Sequence, residues 1–217
     1  MNTEQQAAET ALEQQQRIKN YYQFQSRIYD TTRWAFLFGR LGILQHIPFT
    51  AQEVFRLAEI GCGTGFNLDH IARAYPQASL IGVDVSADML DQAREKLLHF
   101  PNTKIFYHQA YDLESQILRA TPPDIILFSY ALTMINPQWK DLLAKAHQDL
   151  PKGGKIMVVD FHNSRLRFFK NHMGNHHVRM DAHVLPELKR LFTTRTARVK
   201  KAYMGIWEYF IYVGEKA

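Results

Sequence analysis

From Arg56 onward, short apolar runs alternate with stretches whose apolar residues recur at helical spacing. Arg56–Ile60, Ser79–Asp84, Lys104–His108, Asp124–Tyr130 and Lys155–Asp160 read as strands, and Asn67–Ala74, Ala87–Leu98 and Trp139–Leu150 as helices between them. Parallel strands need long crossovers, and helical crossovers cover both faces of a sheet. The strands should therefore be apolar throughout, as "IILFSY" and "KIMVVD" are. The end of the chain breaks the rhythm. Val199–Tyr203 and Trp207–Val213 are rich in β-branched and aromatic residues and have only Gly205 and its neighbours between them, which predicts an antiparallel hairpin at one side of the sheet. The pattern is a doubly wound α/β domain.

Before Arg56 the pattern is different. Residues 3–20 are rich in Gln, Glu and Ala with few apolar side chains, a polar helical extension. Residues 21–47 are dense in aromatics and Leu and predict one or two helices covering an apolar surface, with Gly39 and Gly42 arguing against one continuous helix. The division is thus an extension over 1–20 and one domain over 21–217. An apolar share of 46% with 22% charged residues is that of a globular chain, which excludes a disordered or fibrous one. No apolar run approaches the length of a membrane span and no signal peptide is visible, so a cytoplasmic protein is expected. Its single cysteine, Cys62, fits a reducing compartment.

The sharpest local signal is "LAEIGCGTGFN", a strand running into Gly61, Gly63 and Gly65 and then a helix. Alternate glycines let the backbone turn sharply and approach a ligand closely, at the carboxyl edge of the sheet where α/β proteins bind their ligands. A dinucleotide fingerprint would need its third glycine where Phe66 stands, and no Gly-Lys-Ser/Thr follows for a phosphate loop. Glu59, two residues before the turn, would repel a pyrophosphate but could meet a cation. S-adenosylmethionine carries an ammonium and a sulfonium and no phosphate. Asp84 ends the next strand 19 residues past Gly65, near the spacing at which a carboxylate meets ribose hydroxyls. Ser86 is placed to cap the following helix, where Met89 either packs on adenine or belongs to the core.

Glu59 to Gly65, followed by "GVDVSADML" from Gly82 to Leu90, resembles the cofactor half of class I S-adenosylmethionine-dependent methyltransferases, a likeness extending from about Tyr21 to the C-terminus. It implies a mostly parallel seven-stranded sheet of order 3-2-1-4-5-7-6 with helices on both faces and an N-terminal helical cover. It also implies a cofactor site made of Glu59, Gly61, Cys62, Gly63, Gly65, Asp84, Val85 and Met89. Many relatives place an acid after the third strand to meet the adenine amino group; here Ala110 and Asp112 align ambiguously, leaving Asp112 as the candidate. A narrower likeness, in Arg27 to Arg40 and Ser129 to Trp139, is to bacterial methyltransferases of lipid head-group amines, of the betaine-lipid and phosphatidylethanolamine kind. It implies successive methylation of a primary amine.

Methyl transfer requires holding a neutral nucleophile in line with the methyl carbon, without metal or covalent catalyst. Tyr29 and Tyr130 are the leading candidates for orienting the acceptor, followed by Tyr22, Asp160 and His162, each of which could instead be packing or capping. His172, His176 and His177 suggest a metal site but lack the H-E-x-x-H pattern, and no metal is expected. From Phe161 to Lys201 ten Lys or Arg face two acids, a net of +8, while the rest of the chain nets −3. This stretch reads as a solvated face or as a surface for anionic membranes, with Leu166, Phe168, Phe169, Met173 and Leu191 inserting; no nucleic acid partner is expected. A lipid-amine methyltransferase peripheral to the inner face of the membrane is the leading expectation. A methyltransferase of a soluble or quinone-like small molecule is the alternative. A cofactor-binding or peripheral membrane protein without transfer activity is a third reading.

Overall fold

The computed structural model describes residues 37–107, 118, 121–175 and 177–217. Seven strands, β1 (Arg56–Ile60), β2 (Ser79–Asp84), β3 (Thr103–Tyr107), β4 (Ile125–Ser129), β5 (Lys155–Asn163), β6 (Thr193–Ala202) and β7 (Trp207–Glu215), form one sheet of order β3-β2-β1-β4-β5-β7-β6. The first five run parallel, and β7 is antiparallel to both β5 and β6. The expected doubly wound, mostly parallel architecture and its strand order are therefore present.

Helices α1 (Arg40–Leu44), α2 (Phe66–Ala74), α3 (Ala87–Leu97), α4 (Trp139–Asp149), α5 (Arg167–Asn175) and α6 (Val184–Leu191) flank the sheet. On one face Leu57, Leu127 and Met157 pack in one core with Leu68 and Ile71 of α2, Leu90 of α3 and Ile43 of α1. On the other, Ala58, Ile126 and Val158 pack with Leu142 of α4 and Val184 and Leu188 of α6. Because β1 and β4 are covered on both sides, nearly every residue in them is buried, which is why they read as unbroken apolar runs.

Two expectations change. β6 starts at Thr193, well before Val199, and nine of its ten residues are exposed or half-exposed. A strand at the sheet edge with both faces open carries no alternation to read, and its place is set by backbone pairing with β7. The basic stretch also divides: it comprises the end of β5, α5, α6 and β6 rather than one amphipathic element. Of the five apolar residues expected to insert into a membrane, Phe169 is buried, Met173 and Leu191 pack against the core, and Leu166 and Phe168 are exposed. The expected extension over 1–20 and the aromatic cover up to residue 36 lie outside the described residues.

Candidate functional site

The turn after β1 is closed by backbone bonds: the N–H groups of Gly61 and Cys62 both donate to the Val83 carbonyl, at 2.8 and 3.0 Å. Gly61 has φ +77° and Gly65 φ +74°, in the left-handed region that disfavours side chains. A Cβ on Gly61 would lie 2.8 Å from the Ala131 Cβ, and one on Gly65 3.0 Å from Leu97. The missing side chains thus admit neighbouring protein: the segment after β4 lies against Gly61, and α3 against Gly65.

Asp84 braces this turn. Its Oδ2 accepts from the Gly63 N–H at 2.8 Å and its Oδ1 from the Ser86 N–H at 3.0 Å. Ser86 caps α3, its Oγ accepting from the Met89 N–H at 3.4 Å. Glu59 is buried and its Oε1 accepts from the Asn67 amide at 2.5 Å; Asn67, also buried, has an amide oxygen with no hydrogen-bond partner among the described residues. Two acceptor oxygens are thus held beneath the glycine turn, a donor set that suits a cationic group. Val85 is half-buried. The side chains of Cys62 and Met89 are buried, Cys62 within the core on the α2 side, so any contact from Cys62 to a ligand would be through its backbone.

The acceptor candidates fare differently. Tyr29, Tyr22 and Asp112 lie outside the described residues. Tyr130 follows β4 at φ +56°, an unusual conformation for a side-chain-bearing residue, and its N–H donates to the Val159 carbonyl. Its ring is buried edge-on to Phe161, and its hydroxyl donates to the Phe38 carbonyl at 2.7 Å. Burial, then the nearby Asp160 and Tyr209, raise its pKa well above the ordinary value. A neutral phenol already donating to a carbonyl is a poor proton acceptor, so the geometry makes Tyr130 a strut between β4 and residue 38.

Asp160 is fully buried at the end of β5 and is pushed up to about 6 by that burial, against hydrogen bonds from Thr133, Phe161 and Leu132. Thr133 donates both its N–H (3.1 Å) and its hydroxyl (2.5 Å) to this carboxyl, which therefore anchors the segment following β4. His162 is half-buried, held below its ordinary pKa by burial, with an Nδ1 that has no partner among the described residues. Sequence reasoning missed three neighbours. The Arg179 N–H donates to the Thr133 carbonyl, Asp181 bonds His183, and the Ala182 N–H donates to the His162 carbonyl. They lie in a segment with no helical or strand periodicity, brought to the ends of β4 and β5 by tertiary packing alone. Arg40, the last residue of the Arg27–Arg40 motif, stands over the Phe66 ring at 4.2 Å, placing a cation beside the glycine turn.

Among the described residues no group of three or more His, Cys, Asp or Glu is arranged to hold a metal ion; His176 lies outside them. No helix among them is long and apolar enough to cross a membrane.

Residues 58–156 match the family model of a methyltransferase domain. A trans-aconitate 2-methyltransferase of Afipia carboxidovorans is 36% identical over 118 residues, 54% of this chain and 41% of that protein. The chain thus spans about two fifths of the length of that curated relative. Geranyl diphosphate C-methyltransferase from Streptomyces coelicolor has a similar architecture, with a TM-score of 0.66 at 11% identity over 82% of this chain and 75% of its own. Phosphoethanolamine N-methyltransferase 2 of Haemonchus contortus gives 0.67 at 14% identity over 82% of this chain and 52% of its own. At such identities these two likenesses speak for the fold, which is that of class I methyltransferases.

Proposed function

We propose, on the premise that this chain is a class I S-adenosylmethionine-dependent methyltransferase, that it methylates a small-molecule acceptor held beside the segment following β4. The observation carrying this reading is the contact of Gly61 with Ala131, which sets the cofactor turn directly against the loop organised by Asp160. When bound, S-adenosylmethionine supplies a methyl group on a sulfonium, open to in-line displacement. The chain's own part is positioning. Asp84 holds the glycine turn in shape and is the carboxylate assigned to the ribose, and Glu59 with Asn67 lies toward the cationic end. Asp160 fixes Thr133, so the acceptor's approach is set by a loop anchored from below, while Arg40 can neutralise an anionic substituent.

The relatives named for trans-aconitate support a small acid as acceptor, consistent with Arg40 at the turn. An amine borne by a lipid head group is the second reading, favoured by the exposed Phe168 and Met204 at the same edge of the sheet. Incubation with labelled S-adenosylmethionine and separate panels of carboxylic acids, free amines and a total lipid extract decides between them. Label is expected in one of these pools, and calorimetry should show binding of S-adenosylhomocysteine but not NADH. Binding of NADH in its place would refute the cofactor assignment, and no transfer to any pool would refute the transferase reading.

A further inference from the structure

The hairpin joining β6 to β7 turns through Tyr203, Met204 and Gly205, at φ +45°, +55° and +101°. Asn, Asp and Gly are the residues suited to such left-handed tips. Here the tip carries a tyrosine and a methionine, and Met204 is fully exposed (106% of its reference area). Leu166 and Phe168 come from a second segment, Phe168 being 70% exposed, and Ile206 completes an open apolar group with Tyr203. The two segments are joined by the Ser164 hydroxyl, which donates to the Ile206 carbonyl at 2.6 Å. Beneath them Trp207 is buried and stacks on Phe169, with Tyr203 packed against its ring. The exposed side chains therefore stand on a firm aromatic base.

Cations surround this group. Arg165, Arg167 and Lys170 flank Phe168, and Lys200 and Lys201 precede the tip, with the Lys201 side chain reaching to Gly205. Residues 164–170 and 198–206 contain no Asp or Glu, although Glu208 pairs in register with Lys201. Large apolar residues ringed by cations mark a surface for a phase with an apolar interior and anionic face. The site lies at the same edge: β7 begins beside the end of β5, where Phe161 pairs Tyr209 and Asn163 pairs Glu208, so the tip projects from the carboxyl edge that also carries the glycine turn and Asp160.

The geometry points to a docking surface for an anionic lipid bilayer, in which Phe168 and Met204 enter the head-group layer, the surrounding Lys and Arg meet lipid phosphates, and the cofactor edge faces the membrane. This goes beyond the methyl-transfer reading and holds whether the acceptor is a lipid or a soluble acid, because attachment requires no turnover.

The test is co-sedimentation of the full chain with phosphatidylcholine vesicles, with and without phosphatidylglycerol. Binding is expected only with the anionic lipid, falling as salt rises. Phe168→Ser with Met204→Ser should weaken it about tenfold or more, given the apolar area withdrawn from the bilayer. Arg165→Glu with Arg167→Glu should abolish it. Both variants should keep their circular dichroism and S-adenosylhomocysteine binding, since none of these residues belongs to the cofactor turn. Absence of wild-type sedimentation at low salt overturns the proposal, as does vesicle binding indifferent to both variants. Self-association in sedimentation velocity that the serine variant removes, without vesicle binding, would assign the patch to a second copy of the chain and overturn it as well.

Discussion

Asp84 shows one side chain serving two purposes. It closes the glycine turn through Gly63 and Ser86 and is also the carboxylate we propose for the ribose. Asp84→Ala should weaken S-adenosylhomocysteine binding by about one to two orders of magnitude, the worth of charge-assisted hydrogen bonds of roughly 1.5–3 kcal/mol. Unchanged affinity by calorimetry would remove Asp84 from the site. Asp160 makes a different statement, on pH. Its carboxyl is raised from 3.8 to about 6, so the folded chain holds this proton more tightly than the unfolded one. The resulting stability is complete below 3.8 and is lost as pH rises through about 6, a change on the order of a few kcal/mol. Asp160→Asn has no such proton, so the wild-type melting temperature should fall relative to the variant across that window. A difference independent of pH would show that the carboxyl is not held neutral. Tyr130 was legible as a residue at the end of β4, but its bracing bond was not, because a sequence does not show that its hydroxyl meets the Phe38 carbonyl 92 positions away.

Among the elements, the contact between the β1 turn and the segment after β4 is the one on which the site depends. Gly61→Ala would force a methyl to 2.8 Å from the Ala131 Cβ at a φ of +77°, which should cost about 1–3 kcal/mol in denaturant unfolding and weaken cofactor binding. Adding Ala131→Gly should recover part of that loss, leaving the share due to backbone conformation. Additive losses in the double variant would show that the two residues do not meet. On the other face, Leu188 of α6 is completely buried between that helix and the sheet, and Leu188→Ala should cost about 2–5 kcal/mol while leaving cofactor affinity unchanged. The elements legible in sequence were those whose burial leaves a period. β1, β2, β4 and β5 announced themselves as apolar runs and α2, α3 and α4 by helical spacing. The first residues of β6, Thr193 to Arg198, left no trace because they are open to water, and residues 179–183 left none because long-range backbone bonds to Thr133 and His162, burial of Met180 and the contact of His183 with the Trp139 ring place them.

For the whole molecule, a sheet covered by helices on both sides places everything chemical at one edge. The turn after β1, the acid ending β2 and the ends of β4 and β5 emerge there together, with the tip of the final hairpin. That gathering followed from the glycine turn and the βαβ rhythm, whereas the irregular segment 179–183 that joins it did not. The same arrangement grades the sheet from centre to margin. β1 has a neighbour on each side, whereas among the described residues β6 has β7 on one side. In an antiparallel edge strand, successive amides alternate between a bond to the neighbour and solvent. Dissolved in deuterium oxide, the folded protein should therefore take up label along Thr193–Ala202 in a two-residue rhythm, fast then slow, with the phase slipping where the register shifts between Thr194 and Thr196. The amides of β1 should stay dark until the molecule opens as a whole.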